Sequence, residues 1–204
     1  MNMRPDYEEI KANFNSIRET LIVIAEKIQT NLIEISNETE HIYRISCRVK
    51  DTESFLNKTL KLNKDGSLKY PVPMKEIQDF IGARIIVYYA SDIPKVAEVI
   101  KKYFNRVETT RVVPDDVSKF GYEGLHIICF IPNPIYSTHK NNPLIPDFFE
   151  LQIRTLYQHA WSQSQHGLGY KPDTALSPED QRKLAFIAAQ SWGADKILED
   201  LIKN

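Results

Sequence analysis

Ile10, Phe14, Ile17, Leu21, Ile24, Ile28, Leu32 and Ile35 recur at steps of three and four, a spacing that predicts one long amphipathic helix opened by Pro5 and Asp6. That stripe serves core packing and a seam between subunits equally well, so it leaves oligomeric state open. In HIYRISCRVK, residues 41–50, the period falls to near two. Ile42, Arg44, Ser46, Arg48 and Lys50 interleave with Tyr43, Ile45, Cys47 and Val49, which predicts a strand with a polar, basic side. DTESFLNKTLK then reads as a helix capped by Asp51 or Thr52. After a turn at Lys64-Asp65-Gly66 and a break at Pro71 and Pro73, MKEIQDFIG reads as a short helix. Asp79 sits at its end, and it runs into a strand, ARIIVYYA, with Arg84 at the strand's start. SDIPKVAEVIKKYF is a further helix, VETTRVV and GLHIICFIP are strands, and Gly121 and Gly124 break the chain around Tyr122. NPIYSTHKNNPLIPD has the composition of a loop.

FFELQIRT, residues 148–155, alternates most clearly. Successive strand side chains point to opposite faces, so Phe149, Leu151 and Ile153 enter a core together while Glu150, Gln152 and Arg154 line the other face. An edge strand wetted on one side has the same pattern. A helix follows, and SPEDQRKLAFIAAQSWGADKILEDLIKN ends the chain as a Ser-capped helix with a second segment after Gly193. Strands interspersed with helices predict one α+β domain over residues 1–204: an N-terminal helix (1–40), a core (41–171) and C-terminal helices (172–204). Its mixed sheet has about five strands with flanking helices.

Composition narrows the class. With 204 residues, 42% of them hydrophobic, the chain can bury a substantial core. No apolar run is long enough for a bilayer, and MNMRPDYEEIKANF lacks the apolar segment of a secretory signal, so a cytoplasmic location is expected. Cys47 and Cys129 sit in apolar, β-prone stretches without a second cysteine at metal spacing and read as buried thiols. A net charge of -1 gives no global attraction to nucleic acid, so any polyanion site must be a local gathering of Lys and Arg.

Two carboxylates stand beside strands with basic neighbours: Asp79 ahead of Arg84, and Glu150 ahead of Arg154. Oxygen ligands of this kind suit Mg²⁺, which takes one or two protein carboxylates and completes its shell with water and substrate phosphates. Arg48, Lys50 and Lys58 add the positive charge that phosphate oxygens require. Taken singly, each pair is equally a surface salt bridge worth under about 1 kcal/mol. His159 and His166 lie on the helix after the last strand, but there is no HExxH pair and zinc wants three or four ligands, so structural or substrate-positioning roles fit them better. Tyr157 and Trp161 read as helix packing, and Tyr122 by itself as core or turn.

The order of the short motifs is more specific than any of them. RVKDTESFLNK, DFIGAR, GYEGLH, ELQIRT and QHGLGYK follow one another as in the synthetase domain of RelA/SpoT-type alarmone enzymes, which the chain resembles from about Tyr43 to Lys171. The resemblance implies a nucleotidyltransferase-like mixed sheet and transfer of the β,γ-pyrophosphate of ATP to the 3′-hydroxyl of GTP or GDP, with Mg²⁺. It places Arg48, Lys50, Ser54, Lys58 and Arg84 at ATP, and Asp79 and Glu150 at the metal and in catalysis. Tyr122, which would stack on guanine, His126, Gln152 and Arg154 fall at the acceptor. It further implies that the polar face of the 148–155 strand is the floor of an active site. A ribose hydroxyl is a poor nucleophile at neutral pH and needs a carboxylate or a metal to take or weaken its proton, while the attacked phosphorus needs its charge spread over metal and basic groups.

Two positions depart from the family pattern: Glu123, where many guanosine-acting members have arginine after the motif tyrosine, and Gln165, where a glutamate usually precedes the histidine. A carboxylate at 123 would repel an acceptor's phosphates. The resemblance therefore also admits the small toxic relatives that place pyrophosphate on the 3′ CCA end of tRNA. Lys61, Lys64, Lys69 and Lys75 would be the RNA patch of such an enzyme, or else a solvated face. A non-catalytic nucleotide-binding module is a third reading, against which Asp79 and Glu150 stand. A homo-oligomer or an antitoxin partner is compatible with each enzyme reading.

Overall fold

The computed structural model describes residues 6–116, 119–121, 123–139, 141–169 and 176–203, with backbone alone at 166–169. The expected guanine-stacking Tyr122, Lys171 and the side chain of His166 therefore lie outside the described residues. Helix α1 (Tyr7–Ile35) starts at Asp6, whose carboxylate accepts from the amides of Glu8 and Glu9. Its stripe from Ile10 to Leu32 is buried and Ile35 is partly so, which makes the stripe intramolecular core. It packs on β1 (Ile42–Val49) and β2 (Ile81–Val87). Between these strands lie α2 (Thr52–Thr59) and the single turn α3 (Pro73–Glu76). Asp51 is the cap of α2, accepting from the Ser54 amide at 2.9 Å.

Three phenyl rings lock this corner. Phe14 of α1 stacks on Phe55 of α2 at 4.3 Å between centroids, and Phe80 lies 4.9 Å from Phe55. All three are fully buried, so the segment immediately before β2 is held by its neighbour Phe80. The expected helix over MKEIQDFIG is thus cut short. Ile77 is already extended, and both Ile77 and Phe80 must reach the core, which a continuing helix turn would not allow. Asp79 consequently sits in an extended link, and Arg84 lies mid-strand rather than at a strand's start.

The chain continues through α4 (Asp92–Tyr103), β3 (Arg106–Val112), β4 (Gly124–Phe130), α5 (Asn133–Tyr136), β5 (Phe148–Thr155), α6 (Leu156–Gly169) and α7 (Pro178–Ile202). The expected patternless loop at 133–147 contains α5, a turn carrying Pro134 near its start and burying Ile135. Ser177 caps α7 as expected, but the helix does not divide at Gly193. A glycine costs a helix only about 1 kcal/mol, and beyond it Asp195 and Glu199 are buried and bonded, which holds the next turns in register. Trp161 packs as expected with its indole N–H on the Leu184 carbonyl, whereas Tyr157 stands 38% exposed instead of packing. No helix among the described residues is long and apolar enough to cross a membrane.

The five strands form one mixed sheet in the order β1-β2-β5-β4-β3, with β2 and β5 parallel and every other neighbouring pair antiparallel. Phe149, Leu151 and Ile153 are fully buried beside Ala83, Ile85 and Ile127. The strand pairing sets the opposite face in rows. Arg48, Gly82 and Glu150 form one row, and Ser46, Arg84, Gln152 and His126 the next. Arg44, Ile86 and Arg154 form a third. Burial pushes the Cys47 and Cys129 thiols up to about 12, so both are unreactive packing groups.

Candidate active site

Glu150 is the centre of the polar face. His126 Nδ1 lies 3.0 Å from its Oε1, and the Gln152 amide donates to Oε2 at 2.7 Å. Burial pushes its pKa up, but the hydrogen bond and charge of His126 outweigh this, helped by Gln152 and opposed by Asp79, and the net direction is downward. Glu150 is therefore ionised at neutral pH with both oxygens oriented. Gln152 is the hub of the second row: its Oε1 accepts from Arg84 Nε at 3.4 Å and from Arg154 Nη2. Arg154 reaches Gln152 from the next row of the same face and is only 2% exposed.

Asp79 faces the other side of the site. Lys50 and Lys58 both reach its Oδ2, at 2.7 and 2.9 Å, while the buried Oδ1 has no hydrogen-bond partner. Burial raises its pKa, yet the two ammonium groups more than compensate and hold it below the usual carboxylate range. The geometry follows from local structure: the Lys50 amide bonds to the Phe80 carbonyl at 2.8 Å, which clamps the end of β1 to the start of β2. Lys58 comes from the last turn of α2, and Ser54 on that helix binds the capping Asp51 through both its amide and its hydroxyl.

Two carboxylates near enough to influence each other, one with an unpartnered buried oxygen, are the oxygen set that Mg²⁺ accepts, with the rest of its shell left to water and phosphate. Asp79 and Glu150 fit that ion. Among the described residues no group of three or more His, Cys, Asp or Glu side chains is placed to hold a metal.

Between Arg48 and Glu150 the row contains only Gly82, and a Cβ built there would meet nothing within 4 Å. Two strand spacings separate the flanking residues, leaving a slot about 10 Å wide with backbone as its floor. Gly82→Val is expected to leave the melting temperature unchanged or higher, because a β-branched residue suits the strand, and to raise the apparent ATP requirement by at least about tenfold. Thermal melts and initial rates against ATP check this; unaltered ATP dependence would mean that the slot holds no substrate.

Of the expected site residues the structure brings together Arg48, Lys50, Lys58, Asp79, Arg84, His126, Glu150, Gln152 and Arg154. Ser54 is adjacent but engaged in its cap, and Tyr122 lies outside the described residues. Reasoning from the sequence did not draw Arg44 into the site, and it left His159 between a structural and a substrate-positioning role. Burial first, then the charges of Arg154, Arg84 and Arg44, lower the His159 pKa, so a neutral imidazole on α6 faces the arginine row. The period-two placement of Arg44 beside Ser46 and Arg48 was the available signal. Gln165 is exposed on α6, and Glu123 lies beside Asp195 of α7.

The family model described as the region found in RelA / SpoT proteins matches residues 47–175. GTP pyrophosphokinase YwaC of Bacillus subtilis (strain 168) is 33% identical over 143 residues, covering 69% of this chain and 63% of that protein. GTP pyrophosphokinase YjbM of the same organism is 28% identical over 173 residues, covering 82% of this chain and 70% of that protein. The chain thus matches somewhat under two thirds of YwaC. Small alarmone synthetase 1 from Bacillus subtilis has the same fold, with a TM-score of 0.68, 21% identity, and coverage of 97% of this chain and 96% of that one. Its structures include one bound to its product pppGpp and one bound to AMPCPP. The motifs, the sheet that carries them and the matched region agree: this chain belongs to the RelA/SpoT family.

Proposed function

We propose that this protein is a pyrophosphotransferase that moves the β,γ-pyrophosphate of ATP to the 3′-hydroxyl of GTP or GDP. The observation that carries the reading is the ionised, doubly held Glu150 facing Asp79 with its two lysines, beside the open slot over Gly82. The curated relatives YwaC and YjbM are GTP pyrophosphokinases, and the synthetase that shares the fold binds pppGpp and AMPCPP, which supports both donor and acceptor.

In this reading Arg48, Lys50, Lys58 and Arg84 hold the triphosphate of ATP and spread its charge. The acceptor's 3′-oxygen attacks the β-phosphorus, the bond from that phosphorus to the α,β-bridging oxygen breaks, and AMP leaves. Glu150 takes the hydroxyl proton, oriented by His126 and Gln152. Asp79 and Glu150 would hold Mg²⁺, which when bound neutralises phosphate charge and orients the transferred group. Because His126 lowers the Glu150 pKa, His126→Ala should let burial dominate and raise it. The acid limb of the rate profile then moves to higher pH, and a profile of kcat against pH that keeps its acid limb in place would remove His126 from this role.

One observation favours a second acceptor. Lys61, Lys64 and Lys69 share one exposed turn, closed by the Lys69 amide on the Lys61 carbonyl at 2.8 Å, and the turn continues directly from the helix that carries Lys58. A tRNA end entering the slot would pass such lysines. Incubation with γ-labelled ATP and, separately, GTP, GDP or bulk tRNA distinguishes the acceptors. Label in guanosine tetra- or pentaphosphate is expected, and label in the tRNA band alone would replace the proposed acceptor. With tRNA, charge reversal at Lys64 and Lys69 would weaken the reaction with a steep salt dependence; with a free nucleotide it would be silent.

A further inference from the structure

The ammonium group of Lys58 has two neighbours of different kinds. Its Nζ lies 2.9 Å from Asp79 Oδ2 and stands over the Tyr70 ring, 5.6 Å from the centroid, with the side chain 22% exposed. A cation within about 6 Å of an aromatic face is attracted by the ring quadrupole, more strongly as water is removed. Lys69 stands at the same distance from that ring, but it is exposed on the turn and its solvation weakens the contact. Lys50, the other ammonium on Asp79, is fixed close to its own backbone, whose amide bonds to the Phe80 carbonyl. Lys58 instead sits in the last turn of an eight-residue helix and reaches Asp79 on a flexible four-carbon stem.

The Tyr70 ring is held from both sides of the chain. It is half-buried and packs against the core. The hairpin that delivers it folds straight back from α2: Gly66 turns the chain at a φ of 82°, Leu62 bridges Leu68, and the Lys69 amide bonds to the Lys61 carbonyl at 2.8 Å. Beyond Tyr70 the path is restricted by Pro71, by the Val72 amide on Glu76 Oε2 at 2.7 Å and by Pro73 at the start of α3. None of these supports involves Asp79, so the ring keeps its place whatever the carboxylate binds.

We propose that Tyr70 is a positioning residue for the donor, whose ring keeps the Lys58 ammonium at the triphosphate of ATP when the Asp79 carboxylate is drawn to the metal. This role rests on the reading that Lys58 holds the donor's phosphates. A cation at Asp79 competes with Lys58 for the same oxygens, and the lysine then loses its ionic restraint. The ring supplies a second restraint that takes none of its hydrogen-bonding capacity for good: an ammonium has three N–H groups, so Lys58 can meet the ring and still donate to a phosphate oxygen. Tyr70 therefore acts through Lys58 and touches no reacting atom.

Tyr70→Leu removes the ring and keeps an apolar side chain for the core. It should raise the KM for ATP by about three- to tenfold and leave kcat within about twofold, the split expected when binding alone is weakened. Tyr70→Phe keeps the ring and should restore the parent KM. In a Lys58→Ala background Tyr70→Leu should add less than about twofold, because the ring then has no ammonium to hold. Metal-free calorimetry with a non-hydrolysable ATP analogue gives a readout apart from turnover: Tyr70→Leu should cost more affinity in the Asp79→Asn chain, where the carboxylate no longer restrains Lys58, than in the parent. Tyr70→Met, whose unbranched chain fills much of the same space, provides these readouts if the leucine variant does not fold. An unchanged KM without the ring, no restoration by phenylalanine, or an equal cost with and without Lys58 would overturn the proposal. If Lys58→Ala were itself silent toward ATP, the donor role of Lys58 would fail, and this role of Tyr70 with it.

Discussion

Glu150→Gln should reduce transfer by about 10²- to 10⁴-fold with the fold and ATP affinity retained, the range that loss of a positioned proton acceptor commands. The substitution is nearly isosteric and leaves an oxygen for Gln152 to bond, so its effect is confined to charge and proton acceptance. The lost charge also weakens the contact with His126, which lies 3.0 Å away, and takes away one of the two carboxylates suited to Mg²⁺. Single-turnover rates with saturating ATP and GTP measure the chemical step, and calorimetry with a non-hydrolysable ATP analogue measures binding. Turnover within a few-fold of the parent would exclude Glu150 as the proton acceptor. Loss of analogue binding equal to the loss of rate would make it a binding residue instead.

Most of this site was legible because a strand writes its geometry in period two. Glu150, Gln152 and Arg154 were assignable to one face from alternation alone, as were Arg44, Ser46 and Arg48, although Arg44 was not drawn into the site. The register of β2 against β1 and β5 could not be read. Nothing local to a strand states which residue will stand opposite, yet that register puts Gly82 between Arg48 and Glu150 and Arg84 beside Gln152. The path through Asp79 was misread for a related reason. MKEIQDFIG has an acceptable helical spacing, and only the burial of Ile77 and Phe80 against α1 and α2 draws it straight. Glu123 shows the same limit. Its place beside Tyr122 suggested an effect on acceptor phosphates, and nothing local announced that the fold would also set it beside Asp195 of α7.

Asp79→Asn separates metal binding from phosphate binding, and its two effects should run in opposite directions. In the parent, Asp79 holds Lys50 and Lys58 on a single oxygen and keeps the other oxygen unpartnered and buried. Neutralising it removes an anionic ligand from a coordination shell with few protein oxygens, so Mg²⁺-dependent turnover should fall by at least about 10²-fold and the Mg²⁺ concentration for half-maximal rate should rise. The same change leaves two partly buried ammonium groups without a counter-charge. A triphosphate is then their natural partner, and it no longer meets a carboxylate. ATP binding measured without divalent metal should therefore be unchanged or tighter in the variant. Metal-free calorimetry together with a Mg²⁺ titration of the rate tests both halves. If metal-free ATP affinity collapsed along with the rate, Asp79 would be acting chiefly by organising Lys50 and Lys58, and its assignment to the metal would be lost.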